Sequence, residues 1–527
     1  MNRVLCLFAL ASLLPAQSVT FDRLVHALSE QQNWLTYWGD YSAVRHRDLN
    51  QINTSNVKNL RADWIFQTGQ TGSLETVPLV VDGVMYLTAG NGYAYALDAR
   101  SGRRLWMYKH AFPPGRKANA PNRGFAILGN RLFMVTPDAN VVALEARTGK
   151  LLWQTEMAEF HNGQYTATLA PIVIKDKVIV GISGAELGIR GFIDAYDTAT
   201  GKRAWRFWTV PANGEPGGET WLADSWKRGG GSTWMTGTYD PRLNTLYWGV
   251  GNPGPDLDGY VRKGDNLYTC SLVALDPDIG KLKWYFQFTP HDTHDWDAAE
   301  TPMLLDLNWR GRERKLVVQA NRNAFFYVLD RETGEFLMGK PFARQSWATE
   351  LDAKGRPLLM KDQEPSVDGT RLCPGLAGAA NWMAPSYNPE TRLFYFAVRE
   401  QCDVYYTNPP VYIEGRPYFG SVSRGVTDEP EWGLLKALDP LTGETKWDFR
   451  YFHAPWAGTL STAGGLIFAG DADGYLMAFD AKTGKNLWRF STGTAIQNSP
   501  MTYMVNGRQY VTMPSGSAVM TFALPVE

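Results

Sequence analysis

Ala143-Leu144-Glu145-Ala146-Arg147-Thr148-Gly149-Lys150-Leu151-Leu152-Trp153 is the stretch that decides the fold. An apolar strand ends on an acidic residue, Gly149 follows four positions later and Trp153 four after that. An amphipathic helix would have to carry its apolar period of about 3.6 residues through the turn, and a glycine at that place breaks it. A β-hairpin fits instead. The glycine supplies the positive φ of a tight turn, and the returning strand presents the Trp.

The unit recurs at the same four-and-four spacing. Ala96-Leu97-Asp98 leads to Gly102 and Trp106, Ala195-Tyr196-Asp197 to Gly201 and Trp205, and Ala274-Leu275-Asp276 to Gly280 and Trp284. Ala437-Leu438-Asp439 leads to Gly443 and Trp447, and Ala478-Phe479-Asp480 to Gly484 and Trp488. A weaker copy runs Val328-Leu329-Asp330 to Gly334, with Met338 in the Trp place. The 109 residues from Met338 to Trp447 leave room for two units, with a degenerate turn in Asn388-Pro389-Glu390-Thr391-Arg392. Upstream, Trp64-Ile65-Phe66-Gln67-Thr68-Gly69 mirrors Trp488-Arg489-Phe490-Ser491-Thr492-Gly493, so the N-terminal strand is expected to complete the last sheet and close a ring. The expected fold is all-β, an eight-bladed β-propeller whose repeated Trp docks each sheet on its neighbour, with seven blades as the fallback. No linker divides it, so residues 19–527 are read as one domain.

Composition narrows the function. Of 527 residues 44 % are hydrophobic and 20 % charged, which suits a packed globular chain. Lys plus Arg is 52 against Asp plus Glu 53, so there is no broad basic surface for nucleic acid or anionic lipid. Arg3 is the only charge before an apolar run from Val4 to Leu14, which Pro15 ends ahead of Ala16-Gln17-Ser18. That run is shorter than the roughly 20 residues a membrane span needs and reads as a secretory signal over residues 1–18. An exported, periplasmic protein without a transmembrane segment is expected.

With Cys6 in the leader, Cys270, Cys373 and Cys402 remain. An oxidising compartment favours pairing, and Cys373 and Cys402 lie in loop-like sequence, whereas Cys270 opens a strand as a small buried thiol. No Cys-x-x-Cys-His occurs, so the chain has no attachment motif for covalent haem.

Four segments break the repeat. Gly181-Ile182-Ser183-Gly184-Ala185-Glu186-Leu187-Gly188 sets a carboxylate in a small-residue frame at a strand end. Gly229-Gly230-Gly231-Ser232-Thr233-Trp234, with Gly249-Val250-Gly251-Asn252-Pro253 beyond it, offers close backbone approach and a Trp outside the anchor pattern. Thr289-Pro290-His291-Asp292-Thr293-His294-Asp295-Trp296-Asp297-Ala298 is the most polar stretch. Its two histidines also admit a zinc reading, although the third ligand would have to be guessed. Gln319-Ala320-Asn321-Arg322-Asn323-Ala324 aims an Arg towards the ring centre, where it needs an anion.

Together with the tandem repeat, these segments resemble the pyrroloquinoline-quinone-dependent alcohol dehydrogenases of the methanol dehydrogenase type, over essentially the whole mature chain. The resemblance implies a tightly held quinone stacked on Trp234 and lined by Ser183, Gly184 and Ala185. Glu75, Arg123, Thr168, Asn381 and Trp456 align with groups that hold its carboxylates and edges. It implies a metal held by Glu186, Asn252 and Asp295, with Asp295 as catalytic base, Glu186 as the rival base, and Arg322 on the reactive carbonyl oxygens. The Asp295-x-Asp297 spacing resembles the lanthanide-using branch and makes Asp297 a further ligand. An ordinary calcium site is the alternative, with Asp297 turned away to a backbone N–H or an Arg. Oxygen donors of this kind suit a hard cation. The Cys373–Cys402 pair also matches a family disulfide.

Further implications are a primary alcohol as substrate, oxidised to an aldehyde, and a soluble cytochrome c as acceptor; a homodimer is left open. One departure stands out. Lys117 and Ala118 occupy the places where the family usually has adjacent cysteines. A non-catalytic propeller scaffold is the competing reading.

Overall fold

The structure is a computed structural model that describes residues 18–113, 120–159 and 164–526. The sequence-based leader and Lys117-Ala118 lie outside the described residues. Among the described residues, eight antiparallel sheets of four strands follow one another, and one of them takes a fifth, short parallel strand. In chain order they begin at Leu79, Ala126, Ile172, Thr238, Met303, Ser386, Thr459 and Met501, and are named here the first to the eighth. Among the described residues no helix is long and apolar enough to cross a membrane.

The repeat has a physical explanation in the pairing. Trp106 lies opposite Ala96, Trp153 opposite Ala143, Trp205 opposite Ala195, Trp284 opposite Ala274 and Trp447 opposite Ala437. The small Ala leaves room beside each large ring, and a register shift next to each pair bends the outer strand. The acidic residue caps the turn: Asp98 Oδ1 accepts from the N–H groups of Arg100 and Ser101, both at 3.0 Å.

The glycine serves the neighbouring sheet as well as its own turn. Gly149 has φ +71°, and a Cβ there would lie 2.6 Å from the Trp106 ring of the preceding sheet. Gly201, Gly280, Gly334 and Gly484 meet Trp153, Trp205, Trp284 and Trp447 in the same way. Indole N–H groups reach backbone carbonyls of the next sheet's turn or edge, Trp106 to Ala146 at 2.9 Å and Trp205 to Pro277 at 2.9 Å.

The strand Arg61–Gln67 pairs antiparallel with Ala518–Ala523, so the N-terminal strand completes the eighth sheet. Trp64 from that strand meets Gly102 of the first sheet, and Trp488 of the seventh donates to Leu60 at 3.1 Å. The interval from Met338 to Trp447 differs from expectation. It holds one four-stranded sheet, because residues between Ala348 and Gly425 also build a two-stranded and a three-stranded insert. The Asn388–Arg392 turn is real, and joins the first two strands of that sixth sheet. Cys373 and Cys402 are bonded, with Cα atoms 4.4 Å apart, and Cys270 is a buried free thiol.

In every sheet the first strand starts where the second ends, because the two are antiparallel. Residues just before a first strand and just after a second therefore share one end of the sheets. The Asp–Gly turns, which join third and fourth strands, lie at the other end.

Candidate functional site

Nearly all of the residues singled out from sequence fall at that first end. Glu75, Arg123, Thr168, Trp234, Asn381 and Trp456 each lie three to five residues ahead of a first strand, and Asp295 and Asp297 a little further ahead of Met303. Ser183, Gly184, Ala185, Glu186, Asn252 and Arg322 follow second strands. Segments at this one end thus converge from five or more sheets.

One group is built around Arg123, which is 5 % exposed. Its guanidinium pairs with Glu75 at 2.6 Å and donates to Thr168 Oγ1 at 2.7 Å, and Thr168 lies 3.3 Å from Ser183 Oγ. The same guanidinium lies over the Trp234 ring at 4.8 Å. Gly184 has φ +119°, and any Cβ there would run into the Gln164 carbonyl, so the loop that presents Ser183 and Glu186 requires glycine. Glu186 sits in a short 3-10 turn, Ala185–Leu187, and burial together with nearby Asp297 raises its carboxyl above the usual range.

The second group centres on Arg322. Its guanidinium stands 3.5 Å from Asp295, 3.1 Å from Asp297 and 3.7 Å from Glu300, and donates to the Asp295 carbonyl at 2.6 Å. Asn381 Oδ1 accepts from it at 3.4 Å. Two residues apart on an extended segment, Asp295 and Asp297 would share a face; here Asp295 has φ +61°, a left-handed conformation that Asp tolerates. The two carboxylates face one Arg all the same. Both Asp297 oxygens have partners: Oδ1 accepts the Asn252 N–H at 2.6 Å and Oδ2 the Trp234 indole N–H at 2.9 Å. That arrangement, a backbone N–H and an Arg on Asp297, is the one the calcium alternative described. Burial pushes the Asp295 carboxyl well up against the pull of Arg322, with Asp297, Asp256 and Glu186 adding to the rise.

The triple glycine gives the close backbone approach expected of it. Gly230 and Gly231 take φ +70° and +68°, and the close approach they permit is to the Asn252–Gly254 backbone and to Thr209 and Val210. The histidines are occupied structurally. His291 Nδ1 lies 2.8 Å from the Gly264 carbonyl, while His294 Nε2 meets the Gln363 carbonyl at 3.0 Å and its ring stacks on Trp296. The zinc reading has no support in this geometry. Among the described residues no three His, Cys, Asp or Glu side chains are gathered closely enough to hold a metal by themselves.

Other observations fit an oxygen-bound cation. Asn252 is fully buried, and its Oδ1 has no hydrogen-bond partner. Asp256, 1 % exposed, likewise leaves Oδ1 without a partner, and its carboxyl is raised well above the usual range by burial and then by Glu186. Carboxylates that repel one another beside an orphaned amide oxygen are what a hard cation would relieve. A quinone with carboxylates fits too, since Arg123, Arg322 and the Trp234 ring line one site.

Sequence reasoning missed several members. Asp256, Glu300 and Arg399 belong to no repeat, and nothing in their spacing marks them. Arg399 is 3 % exposed and lies over the Trp456 ring at 4.0 Å, placing that predicted cofactor residue. Buried Arg262 donates to the carbonyls of Pro255 at 3.0 Å and Asp292 at 2.5 Å, tying the Asn252–Asp256 loop to the Asp292–Asp297 loop. The insert in the sixth sheet also reaches the site: the Tyr418 N–H donates to the Glu186 backbone carbonyl at 2.7 Å, and Tyr412 packs on Gly188 and under Arg228.

Fold and site together define an all-β protein with a buried carboxylate and guanidinium cluster at one end of its sheets. Residues 34–341 and 452–511 match the PQQ family model described as glucose/ethanol/alcohol dehydrogenase, β-propeller domain. The chain is 38 % identical to the quinoprotein alcohol dehydrogenase PedH of Pseudomonas putida, covering 90 % of this chain and 84 % of that one. It is 36 % identical to the lanthanide-dependent methanol dehydrogenase of Methylacidiphilum fumariolicum, over 94 % of this chain and 86 % of the other. Among solved structures, the quinohemoprotein alcohol dehydrogenase ADHIIG of Pseudomonas putida superposes with a TM-score of 0.91 at 34 % identity, covering 97 % of this chain and 83 % of that one. The chain belongs to the PQQ-dependent alcohol dehydrogenase family. The scaffold reading is not favoured, because a scaffold has no use for charges buried in this way.

Proposed function

We propose that this protein is a periplasmic quinoprotein that oxidises a primary alcohol to an aldehyde and passes the electrons to a soluble cytochrome c. The observation that carries the reading is Arg322 clasped between Asp295 and Asp297, at 3.5 and 3.1 Å, beside the indole of Trp234. The eight sheets are read as eight blades of one ring docked through Trp. Trp64, Trp106, Trp153, Trp205, Trp284 and Trp447 each lie on the turn glycine of the following sheet, Lys340 and Met338 stand on Gly443, and Trp488 bonds Leu60, which supports this. Pyrroloquinoline quinone with its metal supplies the hydride acceptor and a Lewis acid when bound. Glu75, Arg123, Thr168, Ser183, Gly184, Ala185, Trp234, Asn381 and Trp456 would hold the quinone. Glu186, Asn252, Asp295 and Asp297 would hold the metal.

Asp295 takes the hydroxyl proton of the alcohol, its carboxylate standing 3.5 Å from the Arg322 guanidinium. Glu186 is the rival base. Arg322 holds its N–H donors where negative charge grows. A trivalent lanthanide is favoured over calcium: Asp297 meets a backbone N–H and Arg322 as the calcium alternative describes, but its Oδ1 keeps a lone pair for a cation, and Glu186, Asp256, Asp295 and Asp297 stand together in one buried region.

The test is reconstitution of apo-protein with quinone plus calcium, lanthanum or cerium, followed by dye-linked oxidation of an alcohol panel. Turnover with the lanthanides, lost in Asp297→Ala, is expected. Equal or better turnover with calcium, insensitive to that substitution, would reject the lanthanide while leaving the dehydrogenase intact. No quinone binding under any metal would reject the dehydrogenase.

A further inference from the structure

Glu300 is a buried carboxyl that the mechanism above does not use. It is 3 % exposed, and neither Oε1 nor Oε2 has a hydrogen-bond partner of good geometry. An isolated carboxylate in such a place costs several kcal/mol, so its presence needs a compensating neighbour. One cation faces it. Oε1 lies 3.7 Å from Arg322 Nε, and Nε is itself a buried donor without a hydrogen bond. The two orphaned groups are therefore each other's nearest charged partner on this edge, 3.7 Å apart.

Arg322 has two working edges. NH1 and NH2 meet the Asp295 carbonyl and side chain, the Asp297 carboxylate and Asn381 Oδ1. Nε, at the other edge, is left for Glu300. Close approach of Gly378 to the Arg322 Cβ, where a side chain would collide at 2.6 Å, pins the base of the same side chain. The Gln319 side chain donates to the Glu300 carbonyl at 2.6 Å, so the strand that leads to Arg322 also fixes the Glu300 backbone. Burial pushes the Glu300 carboxyl well above the usual range, while Arg322 and the backbone N–H groups of Glu300 and Arg322 pull it back. That balance is what a carboxyl set against both the backbone and the guanidinium of one residue would show.

We propose that Glu300 is the positioning residue for Arg322, closing on Nε from behind so that the NH1 and NH2 donors stay turned towards Asp295 and Asp297. This rests on the dehydrogenase reading, in which Arg322 serves the quinone. Its contribution is to remove rotational freedom from a long side chain. The acceptor oxygen carries the effect, so an amide oxygen at the same reach would do the same.

The experiment compares Glu300→Leu, Glu300→Gln and Glu300→Asp with the unmodified enzyme, each reconstituted with quinone and metal. Three readouts are taken: quinone affinity and absorption band without alcohol, kcat and KM for one alcohol, and the melting midpoint. Loss of an orienting partner of this kind costs about 10–100-fold. Glu300→Leu is therefore expected to lose kcat by about that factor, with KM changed less than about twofold, and to shift the quinone band or weaken its binding. Glu300→Gln, which keeps an acceptor at full reach, should recover to within about fivefold of the unmodified enzyme. Glu300→Asp, a methylene shorter, should behave like the Leu variant and replaces it if that variant does not fold.

Unchanged kcat, affinity and quinone band in the folded Leu or Asp variant would overturn the proposal. So would equal losses in Gln and Leu, which would make charge and not the acceptor oxygen the cause. Absence of turnover in the unmodified, reconstituted enzyme would strike the dehydrogenase reading instead, and is seen before any variant is read.

Discussion

The two ends of the sheets obey different rules. At one end Asp98, Gly102 and Trp106, and their counterparts in the following sheets, repeat one solution: an acidic cap, a glycine at positive φ, and a ring lying on the glycine of the next sheet. At the other end no two sheets contribute alike. Arg123, Glu186 and Trp234 come from the second, third and fourth sheets and Asp295 and Arg322 from the fifth, and the cluster is held through charge. The repeating end needs only a local fit between a small residue and a large one. The irregular end keeps buried carboxylates that raise one another's proton affinity, a cost borne where a ligand is to be held.

The sharpest break in this comparison is Asp295→Ala. It should leave the melting midpoint near that of the unmodified protein and lower kcat by about 10²–10⁴-fold, the range for loss of a general base. Turnover retained with quinone and metal bound, both quantified, would move the role to Glu186. The opposite signature belongs to Gly149→Val. A branched side chain at φ +71° must also displace the Trp106 ring, so about 3–4 kcal/mol of stability should go, measured by denaturant unfolding. Activity per folded molecule should hardly change, because the turn lies at the far end from the site.

Cys373→Ser with Cys402→Ser tests the insert between those ends. The bond closes a loop over a sequence separation of 29, and its loss should cost about 3 kcal/mol, read as a lower midpoint that reducing agent does not lower further. The smallest effect concerns His46, which ties the N-terminal segment to Ser461 at 2.9 Å. Burial pulls its imidazole from the ordinary 6.5 to about 4. Between those values the unfolded chain binds the proton and the folded one does not, so stability falls as pH is lowered through that window. Because the ring is partly exposed, about 1–2 kcal/mol is expected as the difference between the unmodified protein and His46→Gln from pH 7 to pH 4. An identical pH dependence in both would remove His46 from the account.

Much of this was readable in advance, for reasons that can be named. Spacing between Glu145, Gly149 and Trp153 is a short-range rule, and the pairing of Trp153 with Ala143 carries it out within one hairpin. The N-terminal strand could be placed in the last sheet because its Trp64 motif copies that of Trp488. Expectation failed where the chain stops repeating. The 109-residue interval holds inserts in place of a second sheet, since strands that build no repeat leave no period to count.

By itself the sequence determined the hairpin unit, the all-β class, the Cys373–Cys402 pairing and the family to which the chain belongs. Each follows from residue types at short spacings or from motifs in a fixed order. Only the tertiary structure decided that Asp297 is held by Asn252, Trp234 and Arg322, that Arg399 places Trp456, and that Asp256 and Glu300 join the cluster. Burial and charge coupling act through space between residues far apart in the chain. Their strength depends on distance and on the exclusion of water, and neither is set until the sheets have packed.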